Sequence, residues 1–211
     1  MDSVKRRIGL MGGTFDPIHI GHLMLAECAY EQFGLDEVLF LPSGNPPHKQ
    51  DRTDGASDRE RLEMVRLAVA DNPHFAIDEE EMRRAGLTYT SETLRRLRSV
   101  HPENDYYFII GADSLASFDT WKNPESICRN CILAVAARDK MPFEELESRM
   151  EELRRRFGAT IYLLRTPDVE IASSNLRSMV RDGHSIRYFV PDSVRQYIET
   201  HQIYGNTRVE E

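Results

Sequence analysis

The chain of 211 residues is 40% hydrophobic and 29% charged, with a formal net charge of −8; this is the make-up of a soluble globular protein and excludes a disordered or fibrous one. The acidic balance argues against a general binder of nucleic-acid polymers, which would show a basic face, yet a local basic pocket could still hold one nucleotide. No apolar run approaches the ~18 residues of a membrane span, and Met1-Asp2-Ser3-Val4-Lys5 lacks the apolar core of a secretory signal, so the expectation is a cytoplasmic protein with no membrane contact, folded as a single domain over residues 1–211.

Residues 8–11, Ile-Gly-Leu-Met, form a short apolar run that predicts a buried strand. Gly12-Gly13-Thr14-Phe15-Asp16-Pro17-Ile18-His19-Ile20-Gly21-His22 follows, and residues 23–33 predict a helix with Leu23, Ala26, Tyr30 and Phe33 on one face and Gly34 as its cap. A strand, a glycine turn and a helix start together suit a phosphate, because glycine permits close backbone approach and helix-start amides favour negative charge. His19 and His22 are three residues apart, which places them on one face of the first turn if the helix has begun. Two imidazoles there could donate to phosphoryl oxygens as charge develops. The string carries neither the G-x-x-x-x-G-K-[ST] of a P-loop nor the G-x-G-x-x-G of a dinucleotide-binding oxidoreductase.

Residues 37–41 predict a second strand, so strand, helix and strand read as a parallel crossover. The loop over 42–55 contains Asn45-Pro46-Pro47-His48-Lys49. It is either a solvated connector or a ligand loop beyond a strand end with a basic pair on a stiff stem. Ser57-Asp58-Arg59-Glu60 fits a capping box and opens a helix to about residue 72 with Leu62, Val65 and Val69 inward. A short strand is expected over 75–77, followed by an acidic run, 78–81, read as a solvated strand end. Thr90 or Ser91 is the expected N-cap of a helix with Leu94 and Leu97 inward, again exposing amides suited to a carboxylate or phosphate.

Residues 106–110 make the clearest strand, and Gly111-Ala112-Asp113-Ser114 follows; Asp113 is either a helix cap or an acceptor for ribose hydroxyls. Trp121 stands in a polar segment, either as packing or as a flat face for a heteroaromatic ring. Cys128-Arg129-Asn130-Cys131 has CxxC spacing but no second ligand pair, so the three cysteines read as reduced small hydrophobes. Strands over 132–137 and 161–164 flank a charged helix, 143–157, read as a solvated outer face. Ser173-Ser174-Asn175-Leu176-Arg177 opens a helix ending at Gly183; the serines are explained as caps, whereas an arginine in a first turn opposes the helix dipole and points to a second anion site. A last amphipathic helix over 191–201 turns Val194 and Ile198 inward.

The Gly12–His22 string resembles the HxGH signature of the nucleotidylyltransferase superfamily. With Pro46-Pro47-His48-Lys49, Tyr89-Thr90 before Thr93-Leu94, Gly111-Ala112-Asp113-Ser114, Thr120-Trp121, Ser173-Ser174 with Arg177, and the 188–198 tail, the chain resembles the bacterial nicotinate mononucleotide adenylyltransferases over nearly its whole length. The resemblance implies an α/β fold with a Rossmann-like, doubly wound, mainly parallel sheet, the helical part at about 173–205 completing the ATP site. It implies His19, His22 and Arg177 as catalytic residues. ATP would be bound by Gly12, Gly13, Thr14, Phe15, Gly111, Asp113, Arg138, Ser173 and Ser174, and nicotinate mononucleotide by His48, Lys49, Thr90, Ser91, Trp121 and Lys122, with Mg²⁺ accompanying ATP. Asn175 stands where the family usually reads threonine. Phosphopantetheine adenylyl transfer, a non-catalytic nucleotide sensor and an NAD-dependent oxidoreductase are the competing readings; turnover of ATP to pyrophosphate separates transferase from sensor and oxidoreductase.

Overall fold

A computed structural model describes residues 5–44, 55–84, 86–137 and 142–205. Six strands, β1 (Arg7–Gly13), β2 (Glu37–Pro42), β3 (Phe75–Ile77), β4 (Asp105–Gly111), β5 (Ile132–Ala136) and β6 (Ile161–Leu164), form one sheet in the order β3-β2-β1-β4-β5-β6. Every neighbouring pair is parallel. The sheet is Rossmann-like and doubly wound.

Alternation along the strands explains the two layers. Tyr107 and Ile109 of β4, with Ala134 and Ala136 of β5, face one core, while Tyr106, Phe108 and Ile110, with Leu133 and Val135, face the other. The first core is covered by α1 (Ile20–Phe33), α2 (Asp58–Val69), α8 (Ser173–Arg181) and α9 (Asp192–Thr200). The second is covered by α4 (Thr90–Val100), α5 (Ala112–Ala116), α6 (Pro124–Asn130) and α7 (Phe143–Phe157). At the β6 edge, Gln32 of α1 donates Nε2 to the Leu163 carbonyl at 2.7 Å and accepts from the Arg165 amide at 2.9 Å. A side-chain amide thus takes the place of a further strand and blunts the edge.

Local signals placed several boundaries correctly. Gly34 ends α1 at φ 58°, its amide reaching the Tyr30 carbonyl. Ser57 and Glu60 form the capping box that opens α2, and β3, β6 and α7 lie where periodicity puts them. Others moved. Gly12 and Gly13 are the last two residues of β1 rather than a turn, and α1 begins at Ile20, three residues before the apolar stripe suggests. Its buried residues are Gly21, Leu25, Ala26 and Ala29, with Leu23, Tyr30 and Phe33 only partly covered.

Thr90 and Ser173 are first helical residues; Tyr89 and Ala172 occupy the N-cap positions, and neither makes a side-chain cap bond. The acidic run is half-buried and paired rather than a bare strand end: Glu80–Arg83 forms a short helix, α3, Asp78 pairs with Arg96, Glu79 with Arg66 and Arg83, and Glu81 takes a hydrogen bond from Thr93. The helix α6 lacks a long apolar stripe and so left no periodic trace. It carries Cys128, and Cys131 is its C-cap; both are buried, and burial pushes their thiols up, to about 11 for Cys128. The described cysteines are free. Among the described residues no helix is long and apolar enough to cross a membrane.

Candidate active site

Strand order sets the position of the site. β1 pairs with β2 on one side and β4 on the other, so the chain winds away in opposite directions from these two central strands. Their carboxyl ends bound the crevice where open α/β sheets bind ligands. The segments leaving those ends are the histidine loop after β1 and Gly111-Ala112-Asp113-Ser114 after β4. Gly12 is exposed there and Asp113, on α5, is exposed as well.

His19 is the N-cap of α1, in extended conformation and 2% exposed, and His22 is the third helical residue, half-buried. Their rings stack with centroids 3.7 Å apart and planes at 25°. The His19 amide donates to His22 Nδ1 at 3.3 Å, so Nδ1 is the accepting nitrogen and the neutral ring carries its proton on Nε2. The edge of Phe15, held at φ 50°, meets the His22 ring at 5.1 Å between centroids. The glycine between the histidines has a steric cause: a Cβ on Gly21 would lie 3.1 Å from His19 Nδ1 and 3.2 Å from its Cε1. Gly12 and Gly13 likewise face rings, Phe108 at 3.3 Å and Phe15 at 2.9 Å from the would-be Cβ atoms.

Three residues before this pair, Thr14, Asp16 and Pro17, are tied down from three directions. The α2 residue Arg61, 3% exposed, donates to the Thr14 carbonyl at 2.6 Å and to the Gly44 carbonyl at 3.3 Å, with Asp58 as its ion-pair partner. The buried Asp16 carboxylate accepts from the Ala56 amide at 3.0 Å and from the Tyr204 hydroxyl at 2.6 Å. From α8, Ser173 donates to the Pro17 carbonyl at 3.0 Å and Arg177 to the Asp16 carbonyl at 2.8 Å. Arg177 is therefore a buried brace at the fifth position of its helix, not a first-turn residue, while Ser174 and Asn175 are exposed. One helix-start amide is also taken: Ile20 donates to the Phe189 carbonyl at 2.9 Å, so the loop between α8 and α9 covers the entry to α1.

A second group of candidate residues gathers at the start of α4. Trp121 is half-buried against Phe118, 5.5 Å between centroids, and Phe108, 6.1 Å. Phe108 is the same ring that lies over Gly12, so one side chain touches both groups. Asp119, beside the tryptophan, is held by Arg149 and Arg156 of α7. Lys122 sits 3.8 Å over the Tyr89 ring and bonds Glu92 at 3.1 Å, and Arg84 bonds the same carboxylate at 2.8 Å. These two cations, Lys122 first, hold the Glu92 carboxyl below its ordinary value. Thr90 is half-buried and Ser91 buried at this helix start. Burial pushes the neighbouring Glu81 carboxyl up, against the pull of the Thr93 hydroxyl.

Sequence reasoning did not single out Arg61 or Tyr204, and it read Gly21 only as part of the HxGH string. Arg61 left a signal: it falls on the inward stripe of α2 with Met64, Val65 and Ala68, and an arginine on such a stripe must find buried acceptors. His48, Lys49 and Arg138 lie outside the described residues. A cavity of about 550 Å³ between α7 and β6 includes none of the site residues.

The cytidylyltransferase-like family profile matches residues 10–203. A protein of Lachnoclostridium phytofermentans named "probable nicotinate-nucleotide adenylyltransferase" is 43% identical over 199 residues, 94% of this chain and 99% of that one. One of the same name from Desulfitobacterium hafniense is 43% identical over 207 residues, 97% and 98% of the two chains. Among solved structures, Plasmodium falciparum nicotinic acid mononucleotide adenylyltransferase complexed with NaAD superposes with a TM-score of 0.77 at 20% identity, covering 94% of this chain and 97% of its own; this likeness concerns the fold. The chain belongs to the cytidylyltransferase-like family and, within it, to the nicotinate-nucleotide adenylyltransferases.

Proposed function

We propose that the protein transfers the adenylyl group of ATP to nicotinate mononucleotide, giving nicotinate adenine dinucleotide and pyrophosphate. The observation that carries this reading is the stacked His19–His22 pair at the start of α1, at the carboxyl end of a central strand, in a chain of this family. An oxygen of the acceptor's 5′-phosphate attacks the α-phosphorus of ATP. One P–O bond forms there as the bond to the β-phosphate oxygen breaks, and the departing pyrophosphate carries the electron pair. A phosphate monoester is already a sufficient nucleophile, so the reaction needs neither a covalent intermediate nor a general base, and catalysis is positioning and charge stabilisation.

In this reading His22 Nε2–H donates to the α-phosphoryl oxygens as charge develops. His19 caps the helix and fixes the plane of that ring. Gly12, Gly13, Thr14 and Phe15 line the triphosphate, with Ser173, Ser174 and Arg177 beside it, and Gly111 and Asp113 hold the ribose from the end of β4. The acceptor ring lies on Trp121, and its carboxylate meets the Thr90 and Ser91 amides and Lys122; His48, Lys49 and Arg138 complete the proposal from outside the described residues. The Asp16 carboxylate already serves Tyr204 and Ala56, and among the described residues no three His, Cys, Asp or Glu side chains converge on one point. Mg²⁺ therefore fits best as a companion of the ATP phosphates. The cytoplasm is the proposed compartment, supported by free cysteines, of which Cys128 and Cys131 are buried and Cys28 half-buried.

The test is pyrophosphate release from ATP and Mg²⁺ with nicotinate mononucleotide, nicotinamide mononucleotide and phosphopantetheine as separate acceptors. Release with the first in large excess over the others is expected. Release with phosphopantetheine alone would keep the chemistry and overturn the acceptor, and no release with any acceptor would overturn the enzyme reading.

A further inference from the structure

We propose that Tyr204, near the end of the chain, is a positioning residue for the histidine loop and acts through Asp16. The inference rests on the adenylyl-transfer reading above. Asp16 is 3% exposed, and a carboxylate in such surroundings persists only where hydrogen bonds and charge replace its water. Among the described residues the replacements include the Tyr204 hydroxyl and the Ala56 amide on Oδ1, and Arg177 Nη1 at 3.9 Å from Oδ2. The tyrosine contact joins residues 188 positions apart, so nothing local produces it.

Two features mark the contact as more than packing. Tyr204 lies at φ 66°, a left-handed backbone that a bulky side chain adopts only when its surroundings impose it. Phe15, next to Asp16, lies at φ 50°. Strained residues thus stand at both ends of the link, a pattern that accompanies functional constraint. The braces from Arg61, Arg177 and Ser173 grip backbone carbonyls of residues 14, 16 and 17, whereas Tyr204, with the Ala56 amide, grips the Asp16 side chain, three residues before His19. Burial, and then the charge of Asp16, raise the phenol well above the ordinary tyrosine value, so the hydroxyl remains a donor throughout the neutral range.

The test is Tyr204→Phe in the full-length protein, which keeps the ring and deletes the donor. The expected result is a fall in kcat of about tenfold, on the scale of a modest misplacement of catalytic groups, with KM for ATP and for nicotinate mononucleotide changed by less than about twofold. Backbone amide exchange should quicken by about tenfold at residues 18–22 and stay unchanged in β4. An unchanged kcat overturns the assignment. So does faster exchange in β4 together with the loop, or failure of the variant to fold, either of which would make Tyr204 a general support. If the unaltered protein turned over no acceptor, the adenylyl-transfer reading would fall, and the exchange comparison would still decide whether Tyr204 sets the loop.

Discussion

Gly21→Ala separates catalytic geometry from stability at one atom. Gly21 is the second residue of α1 and carries no unusual backbone conformation, so alanine there should strengthen the helix by about 1 kcal/mol. Against this, the added Cβ would stand 3.1 Å from His19 Nδ1 and 3.2 Å from Cε1, a few tenths of an ångström inside comfortable contact. The His19 ring cannot give way freely: it is 2% exposed and stacked on His22 at 3.7 Å. Relief therefore moves both rings together, and the His22 donor leaves its place opposite the phosphoryl group. A full ångström of misplacement can cost about a hundredfold; a shift of this size should lower kcat about tenfold. The helix gain and the contact cost are of similar size, so the melting temperature should stay within about 4 °C. Pyrophosphate release at saturating substrate and a thermal melt measure the two quantities. Activity within about twofold of the unaltered protein would refute the argument, because it would mean that the His19 ring has room to spare or does not govern His22.

His22→Ala should lower kcat about a hundredfold or more, the scale of one preorganised donor to a developing charge, while far-ultraviolet circular dichroism stays unchanged; a small loss in a folded variant would remove His22 from catalysis. Arg61→Met keeps the buried stem but abandons the Thr14 and Gly44 carbonyls, so urea unfolding should show a loss of about 2–4 kcal/mol, with the unsatisfied acceptors as its cause. A neutral result would mean that water replaces the guanidinium. For Glu81, burial raises the folded-state pKa above the unfolded one, so its charged form weighs against folding above the folded pKa. That burden is relieved as pH falls through the folded pKa and is gone below the unfolded one. Glu81→Gln retains an acceptor for Thr93, so it should raise the melting temperature at about pH 7, with the advantage fading toward about pH 4. An advantage that grows on acidification would reverse the sign of the argument.

The alternation of strands and helices, the Gly34 cap, the Ser57–Glu60 box and the inward stripes of α4 and α9 were legible in the chain because each depends on residues within about one helical turn or one strand repeat, whereas on α2 Val65 and Val69 face inward as expected but Arg61, Met64 and Ala68 are buried with them and Leu62 is not. The same locality made the histidine string readable as a phosphate site. The three-residue spacing holds once α1 begins at Ile20, and the intervening glycine is demanded by the His19 ring itself. Short segments without a stripe were not legible: α3 grew from an acidic run whose carboxylates are paired by Arg66, Arg83 and Arg96 or hydrogen-bonded by Thr93, and α6 is too short for periodicity to register.

Only the tertiary structure decided what the two buried arginines hold: the position of Arg61 on the stripe of α2 and of Arg177 near the start of α8 mark them out, but their acceptors, the carbonyls of Thr14, Gly44 and Asp16, lie 47, 17 and 161 positions away. Strand order, too, belongs to the tertiary level: it placed β1 beside β4, and with them the histidine loop beside Asp113 and, through Phe108, near Trp121. The link from Tyr204 to Asp16 spans 188 positions. Such a contact has no sequence period, since its stability comes from excluding water around one carboxylate, and that enclosure exists only when β1, α2, α8 and the chain's end are packed together.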